Sequence, residues 1–200
     1  MRRAVLLDLG GVLVELGGEQ AFTDLLGGGL TREQMWHRWL HSPAVRAHET
    51  GRMDAKDFAA AAVREFGLSL SPAEFLERFS SWIVGPFEGA HALLDELAER
   101  HDTAILTNIS GAHWDLASSY GLFERVGRVI ASHQIGEIKP DPAFFEVALA
   151  SLGADAGRAV FFDDNALNVE SARRLGIESH LVRGLDETRR TLEKLGLLGG

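Results

Sequence analysis

Residues 4–15 read A-V-L-L-D-L-G-G-V-L-V-E, and how this stretch folds decides the architecture of the chain. Its first six residues are apolar except for Asp8, and Gly10-Gly11 then break the pattern. A near-continuous apolar run of this length is expected of a central parallel strand covered on both faces, rather than of a half-exposed strand with alternating polarity. The reading therefore puts a strand at residues 4–9 with a carboxylate at its carboxyl end.

Similar short runs recur at residues 103–106, 126–131, 159–162 and 178–182. Helical patterns lie between them. Ala90, Leu93, Leu94, Leu97 and Ala98 recur at helical spacing before the second run. Ala143, Phe144, Val147 and Ala148 do so before the fourth, and Ala166, Val169, Ala172 and Leu175 before the fifth, with Gly176 suited to a left-handed helix end. Strand and helix in alternation imply an α/β fold, a doubly wound, Rossmann-like parallel sheet. The first interval is the exception: about ninety residues separate the first two runs, whereas a strand-helix-strand unit needs about thirty in all.

The intervening residues read as helices. Thr31-Arg32-Glu33-Gln34 and Ser71-Pro72-Ala73-Glu74 are capping boxes, the first opening a helix through Trp36 and Trp39. Residues 54–66 are alanine-rich, carry Phe58, Ala62 and Phe66 on one face, and stop at Gly67. Residues 1–14 and 85–200 are thus assigned to an α/β core and residues 15–84 to a small inserted helical cap, with hinges at Gly17-Gly18 and Gly85-Pro86. Trp36, Trp39, Phe58, Phe75, Phe79 and Trp82 fall on helical stripes and read as the cap's interior. Gly27-Gly28-Gly29 reads as a local turn.

Composition narrows the partners. The 200-residue chain is 46% hydrophobic and 24% charged, as in an ordinary globular protein, and it has no cysteine, which removes disulfides, thiolate metal sites and a cysteine nucleophile. Its formal charge of -9 opposes a general affinity for nucleic acid or anionic membranes. Asp8 interrupts the first apolar run too early for a signal peptide, so a cytoplasmic location without a membrane segment is expected. The sequence leaves the oligomeric state open.

In open α/β sheets ligands bind beyond the carboxyl ends of the strands. Those ends carry Asp8, then Thr107-Asn108, then Lys139 in the loop after the third strand, then Asp163-Asp164. Adjacent acids in a dry crevice repel each other unless a cation or proton lies between them, and carboxylate oxygens are the ligands Mg²⁺ prefers. Lys139 adds a point charge for a phosphate, and Thr107 a hydroxyl donor. Taken singly, Asp163-Asp164-Asn165 can be a helix cap and Lys139-Pro140-Asp141-Pro142 a helix-entry turn. Their order along one sheet edge sets them apart.

The set D-L-G-G-V at Asp8, L-T-N at Thr107, K-P-D-P at Lys139 and F-F-D-D-N at Asp163 resembles, over nearly the full chain, the haloacid dehalogenase superfamily. It is most similar to phosphatases with a small helical cap, including those acting on sugar 1-phosphates. The resemblance implies a small phosphate ester as substrate and an aspartyl-phosphate mechanism with Asp8 as nucleophile. It also implies Mg²⁺ held by Asp8, the Gly10 carbonyl, Asp163 and Asp164. Thr107 and Lys139 are then catalytic, and Thr107, Asn108, Lys139 and His113 hold the phosphate or substrate.

Gly10 departs from the commonest family pattern, which has a second aspartate there to protonate the leaving group. General acid-base help contributes roughly a hundred- to ten-thousand-fold, so slow turnover and a preference for good leaving groups are expected unless Glu15, His48, Glu49 or His113 substitutes. Two other readings stay open: a regulatory protein that keeps the phosphate pocket, and a dehalogenase, which resembles this chain but lacks the acid pair.

Overall fold

A computed structural model describes residues 2–26 and 28–199, so Gly27 of the expected glycine turn lies outside the described residues. Five parallel strands form the main sheet: β1 (Ala4–Leu7), β4 (Asp102–Thr107), β5 (Arg128–Ala131), β6 (Ala159–Asp163) and β7 (Glu178–Leu181), in the order β5-β4-β1-β6-β7. Two short strands, β2 (Val14–Leu16) and β3 (Ile83–Pro86), make a separate antiparallel ribbon. The chain builds β4 and β5 on one side of β1, then crosses to build β6 and β7 on the other, which opens a crevice at the carboxyl ends of the three central strands.

Strand alternation divides the core between the two sheet faces. Val5 and Leu7 of β1, Ile105 of β4 and Phe162 of β6 pack with Leu93, Leu94 and Leu97 of α6 (Ala90–Arg100) and Leu192 of α11 (Gly184–Lys194). Ala4 and Leu6 of β1, Leu106 of β4 and Phe161 of β6 face the other way, against Phe144 and Phe145 of α9 (Pro142–Leu152) and Ala172 of α10 (Ala166–Arg174). All four β1 residues are buried, as the unbroken apolar run requires. Two further helices, α7 (Gly111–Ser118) and α8 (Ser132–Ile135), follow β4 and β5.

Among the described residues, five helices lie between β2 and β3: α1 (Gly18–Leu25), α2 (Arg32–Leu40), α3 (Pro43–Glu49), α4 (Ala55–Phe66) and α5 (Pro72–Ser80). Both expected capping boxes form, at Thr31 and Ser71, and α4 runs from its Asp54 cap to left-handed Gly67. These helices share a core of their own, in which Phe22, Trp39, Phe58, Phe66, Phe75 and Phe79 are buried. Trp36 and Trp82 are only partly buried at its margin.

The elements differ from the sequence reading in detail. β1 ends at Leu7 because the backbone turns back at once: the N–H groups of both Leu13 and Val14 donate to Leu9 O. β5 starts at Arg128, since residues 123–125 form a 3-10 turn. The hinge glycines sit in or beside the ribbon, with Gly85-Pro86 inside β3 and Gly17 N donating to Trp82 O at 2.9 Å. No helix among the described residues is long and apolar enough to cross a membrane.

Phe58 tests the separate helical core. Its ring is fully buried and lies 5.1 Å from that of Phe79 and 5.7 Å from that of Phe75. Phe58→Ala is expected to lower unfolding free energy in urea by about 3–5 kcal/mol through the cavity it leaves. A loss below about 1 kcal/mol contradicts this packing.

Candidate active site

Asp8 follows β1 directly, and its N–H extends the sheet ladder to Phe162 O at 2.8 Å. Its carboxylate is therefore placed by the central strand rather than by a loose loop. Asp8 Oδ1 accepts from the Leu9 N–H at 2.7 Å and pairs with Lys139 Nζ at 2.8 Å. Thr107 and Asp163 end the neighbouring strands β4 and β6, so three of the candidate side chains share one sheet edge.

Lys139 is fully buried, and each of its three N–H donors has a partner: Asp8 Oδ1, Asp163 Oδ2 at 2.7 Å and Leu106 O at 2.8 Å. Burial alone would lower its pKa, but Asp163 and Asp8 outweigh that and hold it above the usual lysine value. Asn108 fixes the backbone beneath it, donating from Nδ2 to Lys139 O at 2.8 Å and accepting the Lys139 N–H on Oδ1 at 2.9 Å. Both ends of the Asn108 amide thus hold Lys139, while Nδ2 keeps a second N–H and Asn108 lines the cavity described below.

Asp163 is buried and accepts from Lys139, from the Asn165 N–H and from Asn168 Nδ2, the last at 3.1 Å to each oxygen. Asn168 was not singled out in the sequence. The available signal was its place one turn into the helix that Asn165 caps. Asp164 faces the helical insertion, where Arg32 at the start of α2 forms an ion pair with its carboxylate and donates to its carbonyl at 2.8 Å. Nothing local in the sequence marks Arg32, which lies 132 positions away.

One oxygen from each of Asp8, Asp163 and Asp164 lies within 4.8 Å of the others. Burial pushes the Asp8 pKa well above the carboxylate range, with Asp163 and Asp164 adding to the rise and Lys139 opposing it. Three buried, hard oxygen donors with mutual repulsion are a chemically suitable set for a small divalent cation. The backbone leaves room for this arrangement: Gly11 has φ +71, and a Cβ there would collide with the Asp164 carboxylate. A Cβ on Gly10 would meet Leu16 Cδ1 at 2.9 Å.

One cavity joins these groups. Asp8, Gly10, Thr107, Asn108, His113, Lys139 and Asp164 line it from the core side, while Asp163 is fully buried behind Lys139 and is not part of the lining. Trp36, Trp39, Phe79 and Trp82 of the helical segment line the opposite wall, so aromatics read as interior also face the crevice. The Thr107 hydroxyl makes only a long contact, 3.5 Å, with Asn108 O. His113 donates from Nε2 to Phe79 O at 2.9 Å, which ties α7 to the insertion, and burial lowers its pKa.

The four candidate substitute acids separate clearly. Glu15 is exposed on β2, away from the cavity lining. His48 stacks on Phe58 at 4.3 Å and donates from Nδ1 to Met53 O. His113 is committed as described. Glu49 is buried at the end of α3 and lines the cavity. Burial pushes its pKa up to about 7, against the opposing pull of the Trp39 hydrogen bond, Lys139 and Arg46.

A sequence-family model described as haloacid dehalogenase-like hydrolase matches residues 2–176. The phosphatase MT3486 of Mycobacterium tuberculosis (strain CDC 1551 / Oshkosh) is 29% identical over 98% of the chain and 95% of its own length. Among solved structures, the HAD family enzyme bt-2542 of Bacteroides thetaiotaomicron, in complex with magnesium and inorganic phosphate, aligns with a TM-score of 0.70. It is 23% identical and covers 92% of this chain and 95% of that one. L-2-haloacid dehalogenase from Xanthobacter autotrophicus aligns with a TM-score of 0.63 at 20% identity, covering 100% and 85%.

The Glu49 environment is expected to make stability depend on pH. Its folded pKa of about 7 lies above the ordinary 4.5, so between those pH values the unfolded chain ionises while the folded chain keeps its proton, and stability falls as pH rises. At roughly 1.4 kcal/mol for each pH unit of that window, the penalty at pH 8 is on the order of 3 kcal/mol. Glu49→Gln is expected to unfold at higher urea than the wild type at pH 8 and at equal urea near pH 4. Equal midpoints at both pH values contradict this placement.

Proposed function

The chain belongs to the haloacid dehalogenase-like hydrolases, and from that membership we propose that it is a Mg²⁺-dependent phosphatase acting on a small phosphate monoester. The observation that carries this reading is the convergence of Asp8, Asp163 and Asp164 within 4.8 Å around a buried lysine. Phosphoryl transfer needs an anionic nucleophile to approach an anionic ester, and fixed positive charge is the main help a protein can give. Residues 15–84 serve as a cap over the core in this reading.

Asp8 attacks phosphorus, and the bond from phosphorus to the leaving oxygen breaks, giving a phosphoryl group on the Asp8 carboxylate. Splitting the displacement in two lets water complete the reaction from the same side chain. Lys139 holds Asp8 in position and places its charge beside the transferring group. The Thr107 hydroxyl, free of any short bond in this structure, donates to a phosphoryl oxygen. Asn108 acts one step back, by fixing Lys139. Asp8, the Gly10 carbonyl, Asp163 and Asp164 would hold Mg²⁺, which would supply charge to offset the repulsion between nucleophile and ester.

The dehalogenase reading fits the acid cluster less well. Displacing a halide from carbon brings no phosphoryl charge to be balanced, and a second and third carboxylate beside the nucleophile then only raise its pKa.

Phosphate release from a panel of small esters, assayed with Mg²⁺ and with EDTA, tests the proposal. Release is expected with Mg²⁺ and not with EDTA, and Asp8→Asn is expected to cut it by at least about a thousandfold. Release that survives either change contradicts it. Chloride release unaffected by EDTA supports the dehalogenase reading, and ligand binding without turnover supports a regulatory protein.

A further inference from the structure

Building on the phosphatase reading, we infer that Glu49, reaching in from the helical insertion, is the general acid and base that Gly10 leaves missing on the core side. Gly10 offers a carbonyl and no side chain, and Leu16 fills the space into which a side chain there would grow. Any general acid then comes from elsewhere around the same cavity.

Glu49 meets the requirements by position and by bonding. It is buried and lines the cavity together with Asp8 and Lys139. Its Oε1 accepts a long 3.3 Å bond from Trp39 Nε1, while Oε2 is buried with no partner. A partnerless buried carboxylate oxygen is costly and calls for an explanation, of which a catalytic role is one. Glu15 and His48 are off the cavity lining, and the proton of His113 Nε2 is bound to the Phe79 carbonyl. The pKa of about 7 agrees with this role: burial raises it, and Trp39, Lys139 and Arg46 limit the rise.

The two steps balance. As Asp8 forms its bond to phosphorus, the leaving oxygen takes the Glu49 proton and departs as an alcohol, leaving Glu49 ionised. Water then attacks phosphorus and gives a proton to Glu49, the bond from phosphorus to Asp8 breaks, and phosphate is released with both carboxyl groups restored.

Steady-state kinetics with two kinds of ester test this. A p-nitrophenyl leaving group departs without protonation, whereas a sugar hydroxyl needs it, and kcat/KM reports the step in which it leaves. For Glu49→Gln, kcat/KM on the fastest sugar phosphate is expected to fall about a hundredfold or more. On p-nitrophenyl phosphate it is expected to fall less than about tenfold, with a burst of p-nitrophenol as the second step slows. An equal loss on both esters, or a loss on neither, overturns the assignment. If the wild type shows no Mg²⁺-dependent release, the phosphatase reading falls and this inference with it; if it releases phosphate but Glu49→Gln does not discriminate between esters, only Glu49 is wrong.

Discussion

A lysine ammonium buried between two aspartates is the constraint around which the site is arranged. Lys139 has no solvent exposure, so its charge is tolerable only because Asp8 and Asp163 both face it at hydrogen-bond distance and Leu106 O takes its third proton. The dependence runs both ways, since the aspartates could not ionise together in this crevice without a cation among them. Sheet topology makes the meeting possible. β1 lies between β4 and β6, so the ends of three strands deliver Asp8, Thr107 and Asp163 to one edge, and the Asn108 clamp brings the later loop in beside them.

The helical insertion is built separately and yet completes the site. Trp36, Trp39, Phe79 and Trp82 of its aromatic cluster line the crevice, and polar groups reach it or its edge as well: Arg32 on Asp164, Glu49 in the cavity wall, and the Phe79 carbonyl that receives His113. Each contact joins residues far apart in sequence.

Much of this was legible in the chain itself. Buried strands announce themselves as apolar runs, and the long first interval exposed the inserted helices because topology allows no other place for so many residues. The carboxylates were legible because strand ends define a crevice. The β2–β3 ribbon was not, since V-E-L and I-V-G-P are too short to show alternation. Asn108 was placed correctly at the sheet edge, but its bonding to Lys139 depends on a loop returning from 31 residues away. Arg32 was hidden because it sits inside a capping box, where local helix chemistry already accounts for its neighbours. Of the four candidate acids the sequence set only His113 apart, by its place just past Thr107-Asn108, whereas burial and hydrogen-bond commitments favour Glu49.

The account depends on Asp8 receiving the phosphoryl group. Acid-quench peptide mass spectrometry, after mixing the protein with Mg²⁺ and its fastest phosphate ester, tests that directly. The expected result is a fraction of the peptide containing Asp8 that carries the added mass of one phosphoryl group, localised to Asp8 and removed by mild base. Phosphate release with every Asp8 peptide unmodified, or with the added mass on another residue, would contradict the account.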